Sequence, residues 1–174
     1  MDKKLIILSG VPGAGKSTYA NSLRVHFGSD CVLSMDTIRE MCGCIVRDTT
    51  GEAMHIDQSR NKQVFALYYR MVDLRMQSGA VTVLDNTHPD NRSMEYAKEL
   101  AEKYGYSVEV HRINCSEAIL AERNKNRGYK QVPHEVLVNM LSRYHSFYES
   151  DWFETIYVDR DDADSQHRNA SCLF

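Results

Sequence analysis

Apolar residues in this chain gather in short runs, and between the runs lie longer stretches where they return every three or four positions. The runs predict strands at 4–9, 31–35, 80–85, 107–113 and 155–158. In the stretches between, Val64, Tyr68, Val72 and Met76 recur every four residues, as do Ala97 and Ala101, and Met140, Tyr144 and Tyr148. Each set marks one face of a helix and reads as core. Strands alternating with amphipathic helices predict an α/β fold: a five-stranded, mainly parallel sheet with helices on both faces.

Several boundaries carry their own chemistry. Thr87 with Asp90 three residues on predicts a helix start, and Val132-Pro133 predicts another. Gly105 and Gly128 fall where helices should stop. One domain is expected over residues 1–158. The stretch 159–174, with four Asp and few apolar residues, reads as an acidic, polar tail.

Composition narrows the classes. With 21 Lys and Arg against 24 Asp and Glu, the net charge of −3 argues against a protein that coats nucleic acid over its whole surface. A local basic groove remains compatible with it. Five cysteines, an odd number, point to reduced thiols and a cytoplasmic location. Cys42-Gly43-Cys44 has no second Cys/His pair at zinc spacing, so no metal site is assigned to it. The apolar run after Lys3-Lys4 is only four residues, too short for a signal-peptide core or a membrane span, and no membrane partner is expected. Cys172 stands third from the end where a prenylation box needs it fourth.

The most informative stretch is Gly10-Val11-Pro12-Gly13-Ala14-Gly15-Lys16-Ser17-Thr18, set between a predicted strand and a predicted helix. Its spacing is that of a phosphate loop (Walker A). Glycines let consecutive N–H groups face an anion while the following helix aims its positive end at the same point. Lys16 should reach the β and γ phosphates of ATP or GTP, and the Ser17 hydroxyl should ligate Mg²⁺. Motors, switches and kinases all use such a loop, so it does not specify a reaction.

Other residues bear on the acceptor. Asp36 follows a predicted strand on the edge where open α/β sheets bind ligands, and Arg39 shares its helix face. The pair reads as a general base with an arginine for an acceptor phosphate, or as a helix N-cap with a solvated neighbour. Asp85 ends the third strand, where an acidic residue near the metal is expected, and Asn86 and Thr87 follow it along the same edge. His88 reads as a loop or cap residue. Arg123, Lys125, Arg127 and Lys130 precede Pro133; they form either a solvated basic face or a mobile lid carrying arginines to the transferring phosphate.

Four blocks, Gly10–Thr18, Asp36-x-x-Arg39, Asp85-Asn86-Thr87 and "RN..RG.K.VP..VL..M" from Arg123 to Met140, together resemble the polynucleotide 5′-kinase family from about residue 3 to 148. The resemblance implies a P-loop kinase fold with an Arg-bearing lid, and transfer of the γ-phosphoryl group of ATP or GTP to 5′-hydroxyl ends of DNA or RNA. It makes Asp36 the general base and places Arg39 on the acceptor phosphate. Lys16 and Ser17 then serve the donor, Arg127 the transferring group with Arg123 in the lid, and Asp85 supports the site. Three features depart from the family's phage member: Asp85-Asn86-Thr87 replaces an Asp-Thr-Asn order, Met35 stands where an arginine precedes the base, and the phosphatase domain has no counterpart in this sequence. A separate ligase or phosphatase is a possible companion. A kinase for a nucleoside, nucleotide, modified base or other metabolite would use the same residues, and a non-catalytic nucleotide-dependent binding module would use the loop alone.

Overall fold

The computed structural model describes residues 3–160. β1 (Lys4–Ser9) leads through the glycine-rich loop into α1 (Lys16–Phe27); β2 (Val32–Ser34) and α2 (Met35–Met41) follow. A small hairpin, β3 (Ile45–Arg47) and β4 (Ala53–Ile56), precedes α3 (Asn61–Gln77). The chain continues through β5 (Thr82–Asp85), α4 (Glu95–Tyr104), β6 (Ser107–Asn114), α5 (Glu117–Lys125), α6 (His134–His145) and β7 (Glu154–Asp159). The main sheet runs β2-β5-β1-β6-β7 with every pairing parallel.

The apolar runs form strands because both sheet faces are covered. In β1, Leu5 and Ile7 pack with α2, α3 and α4, while Ile6 and Leu8 point the other way into α1, α5 and α6. On the first face Val64, Tyr68, Val72 and Met76 are each at most 2% exposed, and Ala97 and Ala101 join them. Arg112 ties the last helix and the residues after it to the sheet, its guanidinium 3.6 Å from the Tyr144 ring centre and 4.0 Å from that of Phe147. Parallel strands all point one way, so the loops after β1, β2 and β5 meet along one edge and build the cleft there.

Local chemistry moves several expected boundaries. The strand expected to reach residue 35 ends at Ser34, whose side chain caps α2 by accepting from the Thr37 N–H. Asp36 therefore lies in the first turn of α2 and is not its cap. The helix start assigned to Thr87 shifts to Asp90, which accepts from the Ser93 N–H and opens a 3-10 turn, Asn91–Met94, leading into α4. α4 stops at Gly105, whose φ is 68°, but α5 is capped by Asn126, two residues before Gly128. Tyr148 lies beyond α6 and is 65% exposed, so the Met140–Tyr144 stripe does not extend to it.

The β3–β4 hairpin was not expected: unlike the equally short β2 and β5 its strands are only partly buried, with Arg47, Met54 and His55 exposed, and they carry no apolar run. The last strand runs to Asp159, one residue beyond its expected end, and is followed by Arg160; positions 161–174, including Cys172 and most of the stretch read as a tail, lie outside the described residues. Among the described residues Cys31, Cys42 and Cys44 form no disulfide, and no helix is long and apolar enough to cross a membrane.

Candidate active site

A cleft of about 1160 Å³ opens at the C-terminal edge of the sheet. Its floor is the phosphate loop. Gly10 passes so close to β6 that an added Cβ would stand 3.2 Å from the Ile113 carbonyl oxygen. Gly15, at φ 99°, turns the chain into α1 and is the N-cap, yet no side chain caps this helix and no acid occupies its first turn. Its first N–H groups therefore keep their capacity for an external anion. Pro12, Gly13, Gly15, Lys16, Ser17 and Thr18 line the cleft, whereas Gly10 and Ala14 stand behind it as support, Ala14 fully buried.

Lys16 is buried with its ammonium group donating to the Gly10 and Val11 carbonyls, both at 2.9 Å. Burial pulls its pKa from 10.5 to about 8, with the Asp85 carboxylate opposing the shift and Arg127 adding to it. Asp85, at the end of β5, is pushed upward by burial, against the pull of Lys16 and of a hydrogen bond with Ser17. A hydroxyl and a carboxylate side by side at the phosphate loop are hard oxygen donors and fit Mg²⁺.

Across the cleft, the first turn of α2 presents Asp36, with Arg39 Nη1 at 3.1 Å from its Oδ1. Lys130 Nζ lies 3.7 Å from Asp36 Oδ2 and 2.9 Å from Glu40 Oε1, and the Tyr129 hydroxyl donates to Glu40 at 2.9 Å. The segment after α5 is thus latched onto α2. Arg123 and Arg127 both line the cleft but differ in engagement. Arg123 reaches toward the Gly13 carbonyl at 3.5 Å and donates to that of Arg160 at 3.1 Å, so it braces the loop. Buried Nη1 of Arg127 and Nε of Arg39 have no hydrogen-bond partner among the described residues. Burial lowers the Arg127 pKa while Asp36 opposes that shift. Two buried guanidinium nitrogens with unused N–H capacity, in a cleft floored by a phosphate loop, are suited to phosphate oxygens.

Asn86 and Thr87 line the same cleft, the Asn86 side chain accepting from the Thr87 N–H at 2.7 Å. His88 does not: it is 1% exposed, with its ring nitrogens at 3.1 Å from the Leu8 carbonyl and from the Tyr96 hydroxyl, and burial lowers its pKa to about 4. Sequence reasoning missed Phe65, Tyr69 and Tyr96, which wall the cleft beside Arg39, and also Glu40 and Arg160. Phe65 and Tyr69 are spaced four apart, one position round the helix from the core stripe, which is the signal that could have found them. Arg160 was masked by being assigned to a tail, although it follows a strand at the ligand-binding edge.

The sheet order and the phosphate loop define the class: this is a P-loop protein with a kinase-like fold. The chain belongs to the AAA domain family, whose pattern matches residues 5–147. A Mycobacterium tuberculosis protein of uncharacterized function is 26% identical over 156 residues, which are 86% of this chain; the chain spans only 30% of that relative's length. Among solved structures, a sugar kinase from Janibacter superposes with a TM-score of 0.59 at 18% identity, covering 91% of this chain and 86% of that one. Kti12 of Chaetomium thermophilum, in complex with ADP-AlF3, gives 0.65 at 18%, covering 93% and 92%. The Pnkp1/Rnl/Hen1 RNA repair complex gives 0.64 at 18%, covering 82% of this chain and 44% of the matched chain. At such identities the likeness is one of fold.

Proposed function

We propose that the protein is a polynucleotide 5′-hydroxyl kinase, moving the γ-phosphoryl group of ATP or GTP to 5′ ends of DNA or RNA. The observation that carries this reading is the Asp36–Arg39 pair facing the phosphate loop across the cleft, with the unpartnered Arg127 nitrogen in the same space. Asp36 orients the attacking 5′-hydroxyl and takes its proton as the oxygen–phosphorus bond forms. The bond from the γ-phosphorus to the bridging oxygen breaks, and the nucleoside diphosphate leaves. Lys16 and Arg127 neutralise charge on the transferring group, and Arg39 holds an acceptor phosphate. Mg²⁺ held through Ser17 and Asp85 would neutralise further charge on the β and γ oxygens.

The solved fold relatives support donor and acceptor separately. One was captured with ADP-AlF3 and another belongs to an RNA repair complex, where a ligase or phosphatase working beside such a kinase would be natural companions. The test is incubation with Mg²⁺ and γ-labelled ATP or GTP in the presence of 5′-hydroxyl DNA and RNA oligomers, nucleosides, nucleotides or bare sugars. Label on oligomers, lost in Asp36→Asn and Lys16→Ala, is the expected result. Label confined to small acceptors would reassign the acceptor, and nucleotide binding without transfer would make the protein a binding module.

A further inference from the structure

Beyond the phosphate-binding groups, one wall of the cleft is aromatic. Phe65 and Tyr69 of α3 have ring centres 5.8 Å apart, and Tyr69 packs at 4.3 Å against Tyr96 of the next helix. Arg39, whose Nη1 holds Asp36, lies 5.8 Å from the Phe65 ring centre. The rings therefore begin one side chain away from the carboxylate that faces the acceptor hydroxyl. They are not simply core: Tyr68, their neighbour on the same helix, is fully buried, whereas Tyr69 remains 38% exposed with Tyr96 packed against it. Exposed aromatic surface inside a polar cleft, beside an arginine with an unused buried nitrogen, is suited to a flat ring attached to a phosphate-bearing sugar. The donor end of the cleft is bounded instead by Arg123 and Arg160, next to Gly13 and Gly15.

Resting on the kinase reading, we propose that Phe65 and Tyr69 form a seat for the nucleobase of the acceptor, which makes the acceptor a base-bearing nucleoside unit and not a bare sugar or other alcohol. The ring of the base stacks on the aromatic wall while its sugar hydroxyl reaches Asp36 and a neighbouring phosphate reaches Arg39. The base of a chain end and that of a free nucleotide share this chemistry.

The experiment compares transfer to 5′-hydroxyl oligomers whose terminal residue either carries its base or is abasic, and to free nucleosides, which distinguish chain end from small molecule. A terminal 2-aminopurine reports stacking independently of transfer. Expected for the full chain is a loss of about tenfold or more in kcat/KM on removing the base, expressed mainly in acceptor KM. Tyr69→Leu and Phe65→Leu should impose a similar loss on the normal acceptor, little on the abasic one, and leave the KM for ATP unchanged. Tyr69→Phe, which keeps the ring, should recover most of the acceptor KM that Tyr69→Leu loses. The 2-aminopurine fluorescence should be quenched on binding and the quench lost in Tyr69→Leu. Equal use of abasic and normal ends, or binding without any quench, would overturn the seat. A quench that depends on Tyr69 but comes without phosphoryl transfer would uphold the seat and overturn the kinase reading.

Discussion

Replacing Lys16 by Met should make the nucleotide-free protein more stable at neutral pH while abolishing its response to triphosphate. The buried ammonium donates to two backbone carbonyls and lies near the carboxylates of Asp85 and Asp36, and burial still lowers its pKa from 10.5 to about 8. At about 1.4 kcal/mol per pH unit, that fall corresponds to about 3 kcal/mol by which folding disfavours the charged lysine. Methionine fills a similar volume without charge, but the Gly10 and Val11 carbonyls lose their donor at roughly 1 kcal/mol in total where cleft water can reach them. The net expectation is a gain of about 1–2 kcal/mol, or roughly 2–8 °C in Tm for a chain of this size.

The pH dependence has a definite sign. A lysine with a depressed folded pKa imposes its full cost below pH 8, where folded and unfolded states both carry the charge. The cost fades as pH rises toward 10.5, where the folded state has already released its proton. The advantage of Lys16→Met should therefore be largest at pH 7 and shrink between pH 8 and 10.5. Adding ATP with Mg²⁺ should raise the Tm of the parent protein, by the equivalent of about 2.7 kcal/mol at a hundredfold excess over Kd, and leave the variant unmoved. Thermal melts of both proteins across pH 7–10 suffice as the assay. A variant less stable than the parent at pH 7, or a gap that widens with pH, would refute the electrostatic argument.

Other substitutions probe separate links. Asp36→Asn should lower the transfer rate about a hundredfold or more while ATP binding, followed by calorimetry, stays within twofold of the parent. On the proposed kinase reading Arg127→Ala should cost roughly a thousandfold in kcat without lowering Tm, because its buried Nη1 has no hydrogen-bond partner among the described residues for the resting fold to lose. His88, held neutral by burial with a pKa of about 4, should make stability fall as pH drops from 6.5 to 4, the unfolded chain taking up the proton first. Urea titrations should find that slope reduced in His88→Gln. Met76→Ala, at a fully buried position, should destabilise the protein by about 2–5 kcal/mol in the same titrations.

The succession of strands and helices along the chain and the phosphate loop were legible because each depends on neighbours in sequence, whereas the sheet order β2-β5-β1-β6-β7 is set by long-range pairing. Leu5 to Leu8 form a run because both faces of β1 are buried, and the Gly10–Thr18 spacing carries its own backbone geometry. Side-chain caps were less legible. Ser34 and Asp90 won over Asp36 and Thr87 because a cap is decided by which backbone N–H a short side chain reaches, and several Ser, Thr and Asp candidates stand within a few residues. The hairpin at 45–56 escaped because its strands are only partly buried and so carry no apolar run, unlike the equally short β2 and β5.

Within the site, Asp36, Arg39, Lys16, Asp85 and Arg127 could be picked out singly from residue type and place on a strand end or helix face. By itself the sequence determined that a phosphate loop stands at the head of a strand–helix series, since local spacing suffices for that. Tertiary structure alone decided that Arg123 braces the loop while a buried nitrogen of Arg127 has no hydrogen-bond partner among the described residues, that Lys130 is shared between Asp36 and Glu40, and that Phe65, Tyr69 and Tyr96 form one wall. Those properties depend on burial and on charges brought together from elements far apart in the chain, and no local pattern encodes them.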